Sequence, residues 1–210
     1  MAVQEAPRSR LLRRLPALRG GTDGNERLTA LTGVALLVLL AIEGVTILAI
    51  HRLLSLHVFV GLMLIPPVAL KLATTGYRFA RYYTRAAEYV RKGPPVLFMR
   101  MLVAPGLVAA TVVVFGTGVA LLVAGPGGGI ILGLHKAGFV VWLVAFAIHV
   151  LAYALRMPAL VAADWGRGGG GSGAALRYGA VALALLAGLI LAVAALPAAH
   201  SWLHWSPPDR

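Results

Sequence analysis

Two histidines lie on one long apolar stretch of the chain, residues 134–157. His135 and His149 are fourteen positions apart in that stretch. In an α-helix this spacing returns a side chain to within roughly 40° of the same face, and it separates the two imidazoles by about 21 Å along the axis. Neutral imidazole is a common metal ligand and the usual axial ligand of a b-type haem. The stretch therefore predicts two metal-ligating side chains on one helix face.

The composition places this helix in a membrane. The chain has 210 residues, of which 60% are hydrophobic, and a mean hydropathy of +0.85, whereas a soluble domain has about 45–50% apolar residues. Several stretches approach or exceed the length of about 20 apolar residues that a bilayer crossing requires. These stretches are residues 28–50, 53–75, 101–124, 131–156 and 176–196. We expect an all-α integral membrane bundle with five transmembrane helices.

The chain divides into four parts. Residues 1–27 form a basic N-terminal tail, residues 28–165 hold the first four spans, residues 166–175 form a Gly-rich linker, and residues 176–210 hold the fifth span and a C-terminal tail. Between the second and third spans, residues 76–100 are basic and aromatic, a pattern typical of a loop or an interfacial amphipathic helix.

The basic residues indicate topology rather than a nucleic-acid partner. The net charge is +12, from 19 Lys and Arg against 7 Asp and Glu. The N-terminal tail holds six of these cations, residues 76–100 six and the segment before the fifth span three, whereas the connections on the other side hold two. Because the side with the excess is normally cytoplasmic, we expect a cytoplasmic N-terminus, an outer C-terminus and contact with anionic lipid. The absence of Cys excludes disulfides, Cys-ligated iron–sulfur clusters and covalently attached haem.

A second span supplies a partner for the first histidine. In this topology His57 and His135 both lie near the outer surface, on two different helices, and each could occupy one axial position of a haem. Interfacial histidines with one wet and one apolar side are the alternative. His149 lies deeper, where ionisable groups are rare and usually functional.

The inner position lacks a second histidine. Lys71 follows His57 by fourteen residues, the same spacing that separates His149 from His135. A neutral lysine can ligate iron, but this lysine could instead extend to the headgroups. Thioether alternatives exist at the same end of the bundle, namely Met99, Met101 and Met157.

Glu43 is the acidic residue inside a predicted span. A carboxylate there is costly unless it is paired or neutral. We expect Lys136 to be its partner, or else Glu43 to exchange protons at an outer quinone site. Lys136 and Arg52 are also candidate partners for haem propionates. His200 and His204 have the character of surface residues, although their spacing of four can bind a divalent metal, and the sequence assigns no role to His51.

Small residues near the histidines could make room for a flat macrocycle. These glycines are Gly61, Gly116, Gly118 and Gly138. Ordinary close packing between helices is an equally good interpretation.

Two segments carry a resemblance to a known family, SLHVFVGLMLIPPVALKLATTGYRFARYY and LHKAGFVVWLVAFAIHVLAY. They resemble the bacterial membrane-bound cytochrome b proteins, such as the haem-binding subunits of membrane hydrogenases and formate dehydrogenases, and small ferric-reductase-like membrane proteins. The resemblance covers residues 28–165. It implies a four-helix haem-binding core in the bacterial cell membrane, exchange of electrons with quinone, and an extracytoplasmic oxidoreductase partner such as a molybdopterin enzyme.

Carried over by position, the resemblance implies that His57 and His135 are outer haem ligands and His149 an inner one. Lys71 stands where a two-haem member usually has a fourth histidine, so one haem is expected and a second is an open alternative. The competing hypothesis is a non-haem transporter or anchor subunit in which Glu43, Lys71 and His149 form a proton or ion path. A metal reductase is a third hypothesis, and it would need an electron-donor site that the chain does not display.

Overall fold

The computed structural model describes residues 21–93, 96–127, 129–155, 157–165 and 173–203, and within these residues every regular element is a helix. The α-helices are α1 Gly21–Leu48, α2 Ile50–Tyr83, α3 Ala87–Lys92, α4 Ala104–Ala124, α5 Gly129–Tyr153, α6 Met157–Trp165, α7 Ala174–Ala195 and α8 His200–Leu203. A π-helical turn, Met99–Val103, leads into α4. Five helical segments in the described residues are long and apolar enough to cross a membrane. The prediction of an all-α bundle with five spans is therefore confirmed.

Two helices extend beyond the predicted spans. α1 begins at Gly21, inside the predicted tail, and α2 continues to Tyr83, inside the predicted loop. The 34 residues of α2 measure about 51 Å, against about 30 Å of hydrocarbon in a bilayer. The last turns of α2 therefore project beyond the membrane core, where its charged side chains are solvated without ending the helix. Residues 1–20, 166–172 and 204–210, which include most of the predicted tail and linker, lie outside the described residues.

Ala49 alone separates α1 from α2, so the two helices form an antiparallel hairpin. Leu53 leaves the helical region with φ −112° and ψ 18°, and Pro66 and Pro67 lie farther along α2. Pro67 has no N–H to donate to the carbonyl of Met63. Gly188 of α7 packs so closely against this carbonyl that a Cβ there would overlap it. The exposed backbone of α2 is therefore the surface on which α7 docks.

The helices pack as two groups. α1, α2 and α7 contact one another along their lengths, and α4 and α5 form a second hairpin that packs mainly on itself. An apolar cluster at the centre of the first group consists of Leu36, Leu39, Val60 and Leu64, and Phe115 of α4 and Leu185 of α7 pack against it. The fifth span contributes Leu185 to this apolar cluster, and Gly188 permits its close approach to α2. No described residue of α5 is buried.

Short helix α3 is fastened to the start of α1. Lys92 forms ion pairs with Asp23, at 2.6 Å, and with Glu26. Tyr89 is buried against Tyr77, with ring centroids 6.1 Å apart. α1 and α7 begin at the same end of the bundle at which α2 and α5 terminate, and we call it the basic end. We call the other end of the bundle the opposite end.

Candidate metal centre

His57 of α2 and His135 of α5 meet at the opposite end of the bundle. Their ring centroids are 6.3 Å apart and their planes make an angle of 85°. Both rings are partly buried. The two histidines come from different packing groups, so the site joins the α1–α2–α7 group to the α4–α5 hairpin.

The ring of His57 is held in place through contacts of its Nδ1 atom. Its Nδ1 lies 2.9 Å from Oε1 of Glu43, across the α1–α2 hairpin. It also lies 3.0 Å from the hydroxyl oxygen of Thr46, a fully buried residue of α1. The Thr46 hydroxyl donates its own proton to the carbonyl of Glu43 at 2.6 Å. The threonine oxygen can therefore only accept from the ring, which indicates that Nδ1 of His57 carries a proton.

His135 is held in the same manner by α4. Its Nδ1 donates to the carbonyl of Val114 at 3.0 Å and lies 3.0 Å from the hydroxyl oxygen of Thr117. Thr117 donates its proton to the carbonyl of Val113 at 2.6 Å. A carbonyl can only accept, so Nδ1 of His135 is the protonated nitrogen. In the neutral form of each ring the lone pair is consequently on Nε2, and neither Nε2 atom makes a hydrogen bond within the described part of the chain.

This donor set suits an iron with two axial imidazoles. Metal-bound histidines typically donate the N–H of their second ring nitrogen to a carboxylate or carbonyl, which fixes the tautomer and the orientation of the ring. Imidazole nitrogens bind first-row metals at about 2 Å and each ring centre lies about 1 Å farther, so two rings on one iron have centroids about 6 Å apart. The separation of 6.3 Å meets that requirement. Among the described residues no group of three or more His, Asp or Glu side chains could hold a metal ion, and a haem iron needs only two.

Two of the four glycines singled out in the sequence contact this site. A Cβ at Gly118 would lie 3.3 Å from Cε1 of His135, so the His135 ring packs directly on the α4 backbone. A Cβ at Gly61 would lie 3.4 Å from Oε1 of Glu43. Gly138 faces Val113 of α4, and a Cβ at Gly116 would meet no atom within 4 Å. Gly118 is therefore the glycine that makes room for a candidate ligand.

The prediction that Lys136 pairs with Glu43 was wrong. The carboxylate pairs with His57 and not with Lys136, because Thr46 and Glu43 together face α2 across the hairpin. Lys136 is exposed and makes no ion pair among the described residues. Arg52 is also exposed at this end. Both cations therefore remain available for the propionate role predicted for them.

A second polar group lies toward the basic end of the same hairpin. Lys71 donates from Nζ to the carbonyl of Thr29 at 2.6 Å. Asn25, which is buried, donates to the carbonyl of Thr74 at 3.1 Å. A Cβ at Gly33 would lie 2.9 Å from both Nζ of Lys71 and the methyl carbon of Met157. The structure thus brings together two of the inner ligand candidates, the amine and one thioether.

His149 lies near this second group. Lys71 is close enough to act electrostatically on its ring, and Tyr153 packs one helical turn away with a centroid separation of 5.0 Å. Met101 is 63% exposed, and Met99 is in the π-helical turn. No second imidazole accompanies His149 at this level in the described residues. Of the candidates for an inner ligand position, the structure brings Lys71 and Met157 together, and it shows no hydrogen bond from Lys71 to His149 within the described residues.

The apolar cluster separates the two polar groups. Leu36 and Leu39 follow Gly33 and precede Glu43 on α1, while Val60 and Leu64 lie between His57 and Lys71 on α2. All four side chains are buried, each 9% exposed or less. Along the hairpin, the described residues therefore offer no continuous polar path from Glu43 to Lys71.

Sequence reasoning missed two features of the site. The first is the pair of threonines, Thr46 and Thr117, which no spacing rule links to histidines on other helices. The second is an aromatic stripe on α5, and its spacing was readable. Phe139, Trp142 and Phe146 recur at intervals of three and four residues between His135 and His149.

The aromatic stripe consists of parallel rings. Trp142 lies 21° from the plane of Phe139 and 11° from that of Phe146, with centroids 6.3 and 4.6 Å apart. Trp142 donates to the hydroxyl of Thr111 on α4 at 3.0 Å. The stripe thus fixes the orientation of α5 on α4, and with it the direction of His135.

The other histidines lie away from this centre. His51 and His200 are exposed, and His204 is outside the described residues. The chain matched no protein-family model, no curated protein and no solved structure.

Proposed function

We propose that the chain is a b-type cytochrome of the bacterial cell membrane, in which His57 and His135 would hold the iron of one haem. The observation that carries the proposal is the pair of imidazoles at 6.3 Å, each anchored through a protonated Nδ1.

A bound haem supplies a one-electron carrier, and the protein supplies its ligands, dielectric and charge environment. Glu43 holds the proton of His57 at Nδ1 and makes Nε2 a stronger electron donor to a metal. The Val114 carbonyl, a neutral acceptor, does the same more weakly for His135.

The partners follow from the resemblance and the charge pattern. We propose that electrons pass between the quinone pool or another membrane partner and an extracytoplasmic redox partner, of which a molybdopterin-dependent oxidoreductase is one example. The excess of Lys and Arg supports a cytoplasmic basic end and an outer position for the His57–His135 site. The chain then acts as an electron-transfer subunit rather than as a self-contained enzyme.

The alternative of a proton or ion path through Glu43, Lys71 and His149 is less well supported. Such a path needs polar groups or water along its length, and four buried aliphatic side chains lie between its two ends on the hairpin. The cytochrome proposal has no such requirement, because an electron can cross an apolar layer.

A visible difference spectrum tests the proposal. The full chain, expressed with sufficient haem and purified in detergent, should show reduced-minus-oxidised Soret and alpha bands. His57→Ala and His135→Ala should each abolish them, whereas the matched control His51→Ala, an exposed histidine six positions from His57, should retain them. Absence of these bands from the unmodified chain would overturn the proposal.

A further inference from the structure

A hollow of about 600 Å³ opens at the basic end, beside the last turn of α2. Its walls come from the end of α2, from the turn that follows and from one face of α3. The lining residues are Tyr82, Tyr83, Arg85, Ala87, Val90 and Arg91. The hollow therefore combines two guanidinium groups and two phenols with an aliphatic wall.

The two arginines of the hollow have no carboxylate beside them among the residues that line it, and the nearest acidic side chain along the chain is Glu88, which lines a neighbouring hollow together with Arg91. Among the described residues no carboxylate lines the hollow, and neither Arg85 nor Arg91 takes part in an ion pair there. Lys92, the next residue, differs because Asp23 and Glu26 neutralise it. Two adjacent unpaired guanidiniums are best satisfied by an anion with several oxygens.

The walls of the hollow are fixed by contacts elsewhere. Arg85 has φ 58°, in the left-handed region that a residue with a side chain adopts rarely. This turn is closed by backbone hydrogen bonds from Arg85 to Tyr82, at 3.1 Å, and from Ala86 to Arg81, at 3.0 Å. α3 is held behind it by the buried Tyr89 and by the ion pairs of Lys92. The two arginines are thus presented on a preformed surface.

The position of the hollow favours a lipid over a soluble anion. α2 passes from the membrane core into the headgroup region before it reaches Tyr82, and its last turns carry exposed aromatic rings, with Phe79 53% and Tyr83 52% exposed. Aromatic and basic residues together are typical of the membrane–water interface. Val90, 45% exposed, adds an apolar wall, which the glycerol and first acyl carbons of a lipid could cover.

We propose that this hollow binds the phosphate headgroup of an anionic phospholipid, with Arg85 and Arg91 on the phosphate oxygens and the tyrosine rings and Val90 against the glycerol region. The proposal does not depend on the haem site, which lies at the other end of the bundle. It assigns a specific lipid site where the net charge alone would give only general attraction to the membrane.

Native mass spectrometry of the full chain tests this site. The purified protein is exposed to phosphatidylglycerol or to phosphatidylcholine, and retained lipid is counted. Arg85→Gln and Arg91→Gln should each weaken phosphatidylglycerol binding by about tenfold or more, because each loses a charge-assisted hydrogen bond to the phosphate. Arg78→Gln is the control for the two single variants, because Arg78 lies on α2 near the same end but outside the hollow.

Three outcomes would overturn the proposal. The first is equal retention of phosphatidylglycerol by the two single variants and the unmodified chain. The second is an equal loss in Arg78→Gln and in the two single variants, which would show attraction by charge alone. The third is full displacement by millimolar inorganic phosphate, which would identify a site for the free anion. Arg85→Lys and Arg91→Lys provide a second test if the Gln variants unfold, because a lysine keeps the charge and loses the fork of donors.

Discussion

Oε1 of Glu43 lies 2.9 Å from Nδ1 of His57, and this contact joins α1 to α2 at the opposite end of the bundle. His135, the facing ring, is anchored by a neutral carbonyl instead of a carboxylate. If both rings bind one iron, the two axial ligands differ in basicity, and the difference is controlled by one side chain.

Glu43→Gln should therefore change the redox potential of the haem while leaving the haem bound. The carboxylate stabilises the more positive oxidised iron through His57, so its replacement by a neutral amide should raise the midpoint potential by on the order of 50 mV. A spectroelectrochemical titration measures this shift. Glu26→Gln, on the same helix at the basic end, should leave the potential unaltered. An unchanged potential in Glu43→Gln would contradict a role for the carboxylate behind a ligand.

Gly118→Val should prevent haem binding, because the space beside His135 is already filled. Even a Cβ at position 118 would lie 3.3 Å from Cε1 of His135, and two further methyl groups would push the ring from its place. Gly116→Val is the matched control on the same helix, since a Cβ there has no atom within 4 Å. The haem-to-protein ratio should fall at least tenfold in the first variant only. Equal haem content in both variants would place the haem elsewhere.

The inner position should hold no second haem. Lys71 already donates to the carbonyl of Thr29, and no second imidazole lies opposite His149 in the described residues. A pyridine haemochrome assay should therefore give one haem per chain, and His149→Ala should leave that number unchanged. A count of two that falls to one in His149→Ala would instead identify His149 as an inner ligand, with Lys71 or Met157 as its partner.

Gly188→Ala should destabilise the bundle. Its Cβ would overlap the backbone of Met63, which cannot rotate away, so α7 must separate from α2. We expect a loss of about 1–3 kcal/mol in the free energy of unfolding, followed by thermal unfolding in detergent. Gly179→Ala, on the same helix with no atom within 4 Å of its Cβ, should be neutral or slightly stabilising. Similar unfolding temperatures for the two variants would show that α7 does not pack as described.

The ion pairs of Lys92 that hold α3 against α1 should weaken at high pH. Burial lowers the pKa of Lys92, but hydrogen bonds from Lys92 to Asp23 and Glu26 outweigh it and raise the pKa above its ordinary value of 10.5. A raised pKa means that the stabilisation is complete below the unfolded pKa and disappears as the pH rises through the folded one. Lys92→Met should accordingly unfold at a lower temperature than the unmodified chain at pH 8. This difference should shrink above pH 10.5, and a constant difference would exclude the ion pairs as its source.

Much of the fold was predictable because each span is a continuous apolar stretch. The hairpin of α1 and α2 and the shared depth of His57 and His135 followed from counting residues along helices. The ends of the helices were harder to predict, because charged residues such as Arg78 and Arg81 are compatible both with a loop and with a helix that leaves the membrane. The docking of α7 was also unpredictable, because it depends on one carbonyl of α2 that Pro67 leaves exposed.

At the site, residue types indicated the ligands but not their supports. Glu43 was recognised as a costly charge, yet its partner was misassigned because depth alone cannot distinguish His57 from Lys136. Thr46 and Thr117 gave no signal, since threonines in apolar helices commonly bond to their own backbone. Both do so here, and it is the remaining lone pair on each oxygen that the histidines use.

The middle of the α1–α2 hairpin is filled by the buried side chains of Leu36, Leu39, Val60 and Leu64, which cannot transfer protons. His57 and Lys71 are about 21 Å apart along α2, and a proton moving between them would have to cross hydrocarbon with no group to receive it. The hairpin can therefore hold ionisable groups near both of its ends without itself carrying protons from one group to the other.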